Sequence, residues 1–205
     1  MTDLISSRRQ FLAYAALGTG AMLAAQPLGA AIRPTVAGNT ELFARAEAAL
    51  RQHADTIAHD DVVGIADFSP ASRAARLHLL DMRNRTETSF LVAHGRGSDP
   101  QHTGFLHRFS NEPGSNCTSE GAYRTADYYV GAHGKSMRLQ GLESTNSNAE
   151  SRAIVVHAAW YVSEDMVREH GMLGRSEGCF AVADAHLPEV LNRLGPGRLL
   201  VATKL

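Results

Sequence analysis

Leu42, Phe43, Ala46, Ala49 and Leu50 recur at helical spacing, with Asn39 or Thr40 in place to cap and Glu41 in the first turn. This pattern predicts a helix that packs one face on the domain. Further along, the chain turns to short apolar or alternating runs broken by Gly, Pro, Asn and Ser. Runs at 62–68, 76–82, 88–94, 128–132, 136–142, 152–158 and 198–204 each read as a strand. Arg83-Asn84-Arg85-Thr86 supplies a hairpin turn between the second and third runs, which makes those neighbours antiparallel. A second helix is predicted over 188–194, with Pro188 in its first turn and Gly195-Pro196 as its stop. No repeat or low-complexity tract stands out. The pattern as a whole predicts a mainly β fold with flanking helices, of the α+β class.

The segment 95–121 breaks the rhythm. Phe105, Leu106 and Phe109 are its few apolar residues, set among Gly97-Ser98-Asp99-Pro100 and Asn111-Glu112-Pro113-Gly114-Ser115-Asn116. A loop of that length inside a compact domain is usually functional or mobile, and this one is read as a binding loop beside the site.

The N-terminus follows a different logic. Ser7-Arg8-Arg9-Gln10-Phe11-Leu12 leads into an apolar run over 13–25 that carries Gly18 and Gly20, then into Pro27-Leu28-Gly29-Ala30-Ala31. A positive region, a short hydrophobic region and small residues for cleavage make residues 1–31 an export signal, and the paired arginines make it the twin-arginine type. The apolar run is interrupted and shorter than the roughly 20 residues a spanning helix needs, so no stable membrane insertion is expected after cleavage. The domain plan is then an export signal over 1–31, an N-terminal helical segment over 32–60 packed on the domain, and the domain itself over 61–205, working in the periplasm. The mature chain of about 175 residues suits a single domain.

Charge adds an exclusion. Twenty Lys and Arg against twenty-one Asp and Glu give no broad field, so no nucleic-acid partner is expected. Two cysteines in an exported chain raise the reading of a Cys117 to Cys179 disulfide. Cys117 lacks a glycine before it, however, and is read as free.

Cys179 sits in Gly174-Arg175-Ser176-Glu177-Gly178-Cys179-Phe180, downstream of His157 in the apolar run Ile154-Val155-Val156-His157-Ala158-Ala159. A thiol needs a base or a cationic neighbour to become a thiolate, and His157 at a strand end is the candidate base. Gly178 lets a substrate carbonyl approach, so that N–H groups around Gly178 and Cys179 can serve as an oxyanion hole. Ser176 is read as orienting the loop. The combination is that of an acyl-transfer site.

His157 followed by Ser176-x-Gly178-Cys179 and a hydrophobic residue resembles the signature of the L,D-transpeptidase catalytic domain. His94-Gly95-Arg96-Gly97-Ser98, Phe109-Ser110-Asn111, Thr118-Ser119-Glu120-Gly121, His133-Gly134-Lys135-Ser136, Leu139-Gln140-Gly141-Leu142 and Gly174-Arg175-Ser176 resemble a divergent branch of that family. The resemblance implies a small β-sandwich-like catalytic domain, with Cys179 as nucleophile and His157 as general base. It also implies that a backbone carbonyl near Ala158 orients the histidine. The reaction it implies is ping-pong. Cys179 attacks an L,D peptide bond of a peptidoglycan stem, either diaminopimelate to D-Ala or L-Ala to D-Glu, and an amine of a second stem opens the thioester. Stem peptides are thus donor and acceptor, and no metal or other cofactor is implied. Opening by water would instead give an L,D-carboxypeptidase or endopeptidase. Glu177 stands where most members have His, and Ala181 where many have Asn or Arg.

A second group of residues is read as candidate substrate contacts. Arg96, Arg138 and Arg175 could meet stem carboxylates, and Glu177 an amine-bearing group. His94 and His133 each precede a glycine at a strand end, where a place in the cleft and a structural hydrogen bond are both open; Tyr128 and Tyr129 join them. Rival classes leave weaker marks. No His-x-His or His-Glu-x-x-His spacing offers a zinc site. Papain-like enzymes place Cys before His, a sortase would need Arg193 or Arg198, and a non-catalytic wall-binding protein would need no reactive thiol.

Overall fold

The computed structural model describes residues 36–37 and 39–205, so the expected export signal over 1–31 lies outside the described residues. Among the described residues, nine strands and three α-helices follow one another as β1 (Val36–Ala37), α1 (Thr40–Gln52), β2 (Val62–Asp67), β3 (Ala75–Asp81), β4 (Thr86–Ala93), β5 (Gly121–Gly131), β6 (Gly134–Gly141), β7 (Val155–Ala158), α2 (Glu164–His170), β8 (Phe180–Val182), α3 (Leu187–Leu194) and β9 (Leu199–Thr203). The strands form one sheet in the order β1-β4-β3-β2-β9-β5-β6-β7-β8, and β8 returns to pair with β4. The mainly β architecture with flanking helices therefore takes the form of a sheet closed on itself. Two pairs are parallel, β2 with β9 and β7 with β8; the other pairs are antiparallel.

Burial on both faces explains why several strands read as unbroken apolar runs rather than alternating ones. Val63 and Ile65 of β2, Leu80 of β3, and Leu199 and Val201 of β9 face Leu42, Phe43, Ala46 and Ala49 of α1. Their neighbours Ala66, Leu77, Leu79, Leu200 and Ala202 turn the other way, toward Leu187, Val190, Leu191 and Leu194 of α3 and toward Phe68, Tyr123 and Phe180. A third cluster joins Leu91 and Ala93 of β4 to Ala181, Ala183, Val162 and Leu173. Asn39 caps α1 by accepting from the Glu41 N–H at 2.9 Å. Such a cap contributes about 1 kcal/mol, whereas fully burying one side chain such as Phe43 contributes about 2–3 kcal/mol, so packing rather than capping holds α1 in place.

Both expected helices form, as does the hairpin between β3 and β4. Asp81 holds that turn by accepting from the N–H groups of Arg83 and Asn84. β5 begins at Gly121 rather than at 128, and a register shift between Thr125 and Tyr128 disrupts the alternation that would have announced it. β7 begins at Val155 rather than 152, because residues up to Ala153 turn back through local hydrogen bonds. Three elements lie outside the expectations: β1, α2 and β8.

Arg76 lies wholly buried within this frame. It donates to the carbonyls of Val92 (3.1 Å) and Pro70 (3.0 Å) and to Nδ1 of His94 (2.6 Å), and its guanidinium lies 4.8 Å from the Phe68 ring centroid. His94 Nε2 in turn lies 3.5 Å from Oδ2 of the buried Asp99. Burial first, then the Arg76 charge, push the His94 pKa down to about 3. An unfolded His94 takes up a proton below about 6.5. The stability that comes from its neutral burial is thus present above that pH and is lost as the pH falls toward the folded value.

Urea unfolding should show this network directly. Arg76→Met leaves three acceptors without their donor and is expected to lower stability by about 3 kcal/mol at pH 7.5. Wild-type stability should decline as the pH drops below about 6.5, before most carboxylates titrate.

Candidate active site

The turn that bears Cys179 is wound around one hydroxyl. Ser176 Oγ donates to the Cys179 carbonyl (2.7 Å) and accepts from the Gly178 N–H (3.2 Å). The Ser176 backbone is held as well, its N–H donating to the His94 carbonyl (2.9 Å) and its carbonyl accepting from the Arg96 N–H (2.7 Å). Gly178 adopts φ +117, and a Cβ there would come within 2.6 Å of the Cys117 carbonyl oxygen, so both conformation and space require glycine. The turn presents Cys179 at the entry to β8. Because the Gly178 N–H already donates to Ser176, it is engaged in the resting structure rather than open to a substrate oxygen.

His157 is placed by the neighbouring strand. β7 and β8 pair in parallel with His157 opposite Ala181, two residues beyond Cys179, and both His157 and Cys179 line one cavity of about 600 Å³. His157 Nδ1 lies 2.8 Å from the Ala158 carbonyl oxygen, which can only accept. Nδ1 therefore carries the proton of the neutral ring, leaving the Nε2 lone pair to act as base. The orienting carbonyl is that of Ala158, in agreement with the family resemblance. Burial, opposed by that carbonyl, lowers the His157 pKa below its usual value. Burial also pushes the Cys179 thiol up, while the Val155 N–H and the Arg152 charge pull it back. The thiol proton points to the Ala153 carbonyl at 3.6 Å. At neutral pH the resting pair is thus a neutral thiol and a neutral imidazole.

Tyr129, His133, Arg175, Ser176 and Glu177 share the cavity with the pair. The His133 ring, at the turn between β5 and β6, stacks on His157 with centroids 4.3 Å apart and planes 24° apart. Pro113, Gly114 and Asn116 of the long 95–121 segment form part of the wall. Glu177 is exposed and pairs with Arg96 at 2.9 Å. Such a surface pair is worth little, so a charged substrate group can replace either partner. Arg175 donates to the carbonyls of Asp99 and Pro100, bracing the loop. Arg138 lies over the Tyr129 ring, 4.3 Å from its centroid, and is not among the lining residues. Tyr128 points elsewhere, donating to the Leu191 carbonyl at 2.7 Å. His94 is buried in the Arg76–Asp99 network and reaches the site only through its carbonyl.

Arg152 and Tyr161 also line the cavity, and the sequence pattern did not single them out. Burial raises the Tyr161 pKa to about 12, so its phenol stays protonated. Arg152 directly precedes the apolar run that carries His157, which is its one sequence signal. Cys117 is fully buried and unpaired, its thiol 3.6 Å from the Ser115 carbonyl. Arg198 forms a two-pronged pair with Asp61, and Arg193 lies 3.5 Å from Glu189; neither lines the cavity, as a sortase-like site would need. Among the described residues no group of His, Cys, Asp or Glu could hold a metal ion, and no helix is long and apolar enough to cross a membrane.

A family model described as the L,D-transpeptidase catalytic domain matches residues 36–202. No curated protein matches the chain. Solved structures similar to it include an L,D-transpeptidase from Mycobacterium smegmatis, at 11% identity and TM-score 0.42 over 69% of this chain and 58% of that one. L,D-transpeptidase 3 from Mycobacterium tuberculosis is similar at 16% identity and TM-score 0.38, over 69% and 60%. The helical cell shape determining protein Pgp2 from Campylobacter jejuni is similar at 11% identity and TM-score 0.44, over 81% and 57%. The chain thus spans less than two thirds of the length of these proteins.

Burial first, and then the stacked His133, hold the His157 pKa down. The acidic limb of Cys179 reactivity should therefore lie below pH 6.5 in the wild type. In His133→Phe, which keeps a stacked ring without the charge, the limb should move up toward 6.5. Alkylation rates followed against pH check this, and an unmoved limb would show that His133 does not tune the base.

Proposed function

The chain belongs to the L,D-transpeptidase catalytic-domain family, and from that premise we propose that it is a peptidoglycan L,D-transpeptidase working through a Cys179 thioester. The observation that carries this reading is the placement of His157 on β7 and of Cys179 at the entry to the paired strand β8, both lining one cavity, with His157 Nδ1 fixed on the Ala158 carbonyl.

In the proposed cycle His157 Nε2 takes the thiol proton as Cys179 Sγ attacks the carbonyl carbon on the L side of an L,D bond. The carbonyl π electrons move to oxygen, then return as the C–N bond breaks. The proton on His157 passes to the leaving amine of the D-residue. An amine of a second stem then attacks the thioester, giving its proton to His157, and the cross-link forms as the thiol is restored. The donor bond is diaminopimelate to D-Ala or L-Ala to D-Glu. Glu177, displaced from Arg96, is placed to meet an ammonium group, while Arg96, once released, and Tyr129 are available to the stem's carboxylates and backbone. The protein works in the periplasm after export by the twin-arginine route and cleavage of residues 1–31, and 61–205 form the catalytic domain with α1 packed against it.

Incubating the mature protein with disaccharide tetrapeptide and identifying products by mass spectrometry tests the assignment. Cross-linked dimer is expected, falling by on the order of 10³-fold or more in Cys179→Ala. Trimmed monomer without dimer would make the protein a hydrolase of the same bonds. No product at all would leave a non-catalytic wall-binding role.

A further inference from the structure

Arg152 has an unusual set of partners for a guanidinium at the wall of a reactive cavity. Nη1 donates to the Ser110 carbonyl (2.9 Å) and to Ser119 Oγ (2.5 Å), and Nη2 donates to the Cys117 carbonyl (2.5 Å). All three acceptors are neutral. No carboxylate lies within ion-pair distance of it among the described residues; the cavity's one acidic side chain, Glu177, is exposed and pairs with Arg96. A part-buried cation held by neutral groups keeps its full positive charge facing whatever negative charge arises beside it.

Its position directs that charge at the nucleophile. A Cβ on Gly178 would lie 3.1 Å from Arg152 Nη2, so the guanidinium packs against the residue that precedes Cys179. The three acceptors belong to the 110–119 stretch, which also supplies Asn116, Gly114 and Pro113 to the cavity wall. The same carbonyl of Cys117 that Arg152 grips is the one that a side chain at position 178 would strike. Meanwhile the Gly178 N–H, an expected oxyanion donor, is occupied by Ser176.

We infer that Arg152 is a positioning residue for acyl transfer: it ties the 110–119 stretch to the nucleophile turn, and its fixed charge favours the Cys179 thiolate and the oxyanion formed on attack. This rests on Cys179 as nucleophile. Arg152 gives up no proton in the step. His157 Nε2 takes the thiol proton, the sulfur lone pair forms the C–S bond, and the carbonyl electrons move to an oxygen whose negative charge Arg152 faces. The charge makes up for the engaged Gly178 N–H.

The test needs no peptidoglycan. Iodoacetamide alkylation is followed against pH on the folded full-length protein, with the modified cysteine mapped by mass spectrometry, for wild type, Arg152→Gln and Arg152→Lys. Arg152→Gln should carry about tenfold less thiolate at a given pH. Arg152→Lys, which keeps the charge but cannot grip three acceptors, should stay within about threefold of wild type while melting at a lower temperature. A folded Arg152→Gln with the wild-type profile would overturn the inference. So would Arg152→Lys falling as far as Arg152→Gln, since geometry rather than charge would then be responsible. If Arg152→Gln does not fold, the Arg152→Lys profile decides: unchanged supports the charge, displaced upward rejects it. Should the profiles behave as expected while no stem peptide is processed, the transpeptidase reading fails and the inference about Arg152 stands.

Discussion

Phe180, Ala181 and Val182 form a strand only three residues long that is hydrogen-bonded on both sides, in parallel to β7 and antiparallel to β4. Without this strand the sheet would be open between β4 and β7, and the turn bearing Cys179 would have no fixed exit. Its side chains face two ways. Phe180 and Val182 enter the core shared with α3, and Ala181 packs under Val162 and Leu173. The strand that closes the sheet thus also leads Cys179 into the cavity that His157 lines. The turn before the strand is secured from the other end by a bridge between Gly95 and Ser176. The thiol therefore sits between two anchored points, as a group that must meet a carbonyl with defined geometry requires.

Burial sets the chemistry of the pair. It disfavours charge on both groups, raising the thiol and lowering the imidazole, so the resting pair is neutral rather than a thiolate and an imidazolium. In the proposed reaction such a pair depends on proton transfer during attack and on fixed charge to receive what develops. The Ala158 carbonyl selects the tautomer, and the ring of His133 stacks on one face of His157. Arg152 and Arg175 both secure backbone carbonyls of the 95–121 segment, which turns a stretch with little regular structure into a wall.

The strand runs, both longer helices and two of the residues that share the cavity, Cys179 and His157, were legible from pattern and motif, because each depends on local spacing or on a compact signature. What escaped the pattern depends on long-range contacts. β8 is too short to show periodicity, and α2 buries no residue, although Ser163 and Gly171 cap it in the expected manner. The register shift at Thr125 to Tyr128 hid the first half of β5. Arg152 reads as an ordinary arginine at a strand entrance until the 110–119 stretch folds over it. His94 left two readings open in sequence; only the presence of Arg76 and Asp99 beside it selects the structural one.

In the proposed reaction Cys179 is acylated by an L,D-linked donor with His157 as base. Trapping the intermediate tests it most directly. The mature protein is mixed with disaccharide tetrapeptide, quenched in acid within the first turnovers, and its intact and peptide masses measured. A thioester is expected on the peptide containing Cys179, heavier by the donor less the fragment that leaves with the D-residue's amine, and strongly reduced in His157→Gln. An adduct on Cys117, or none on Cys179 while product still accumulates, would contradict it.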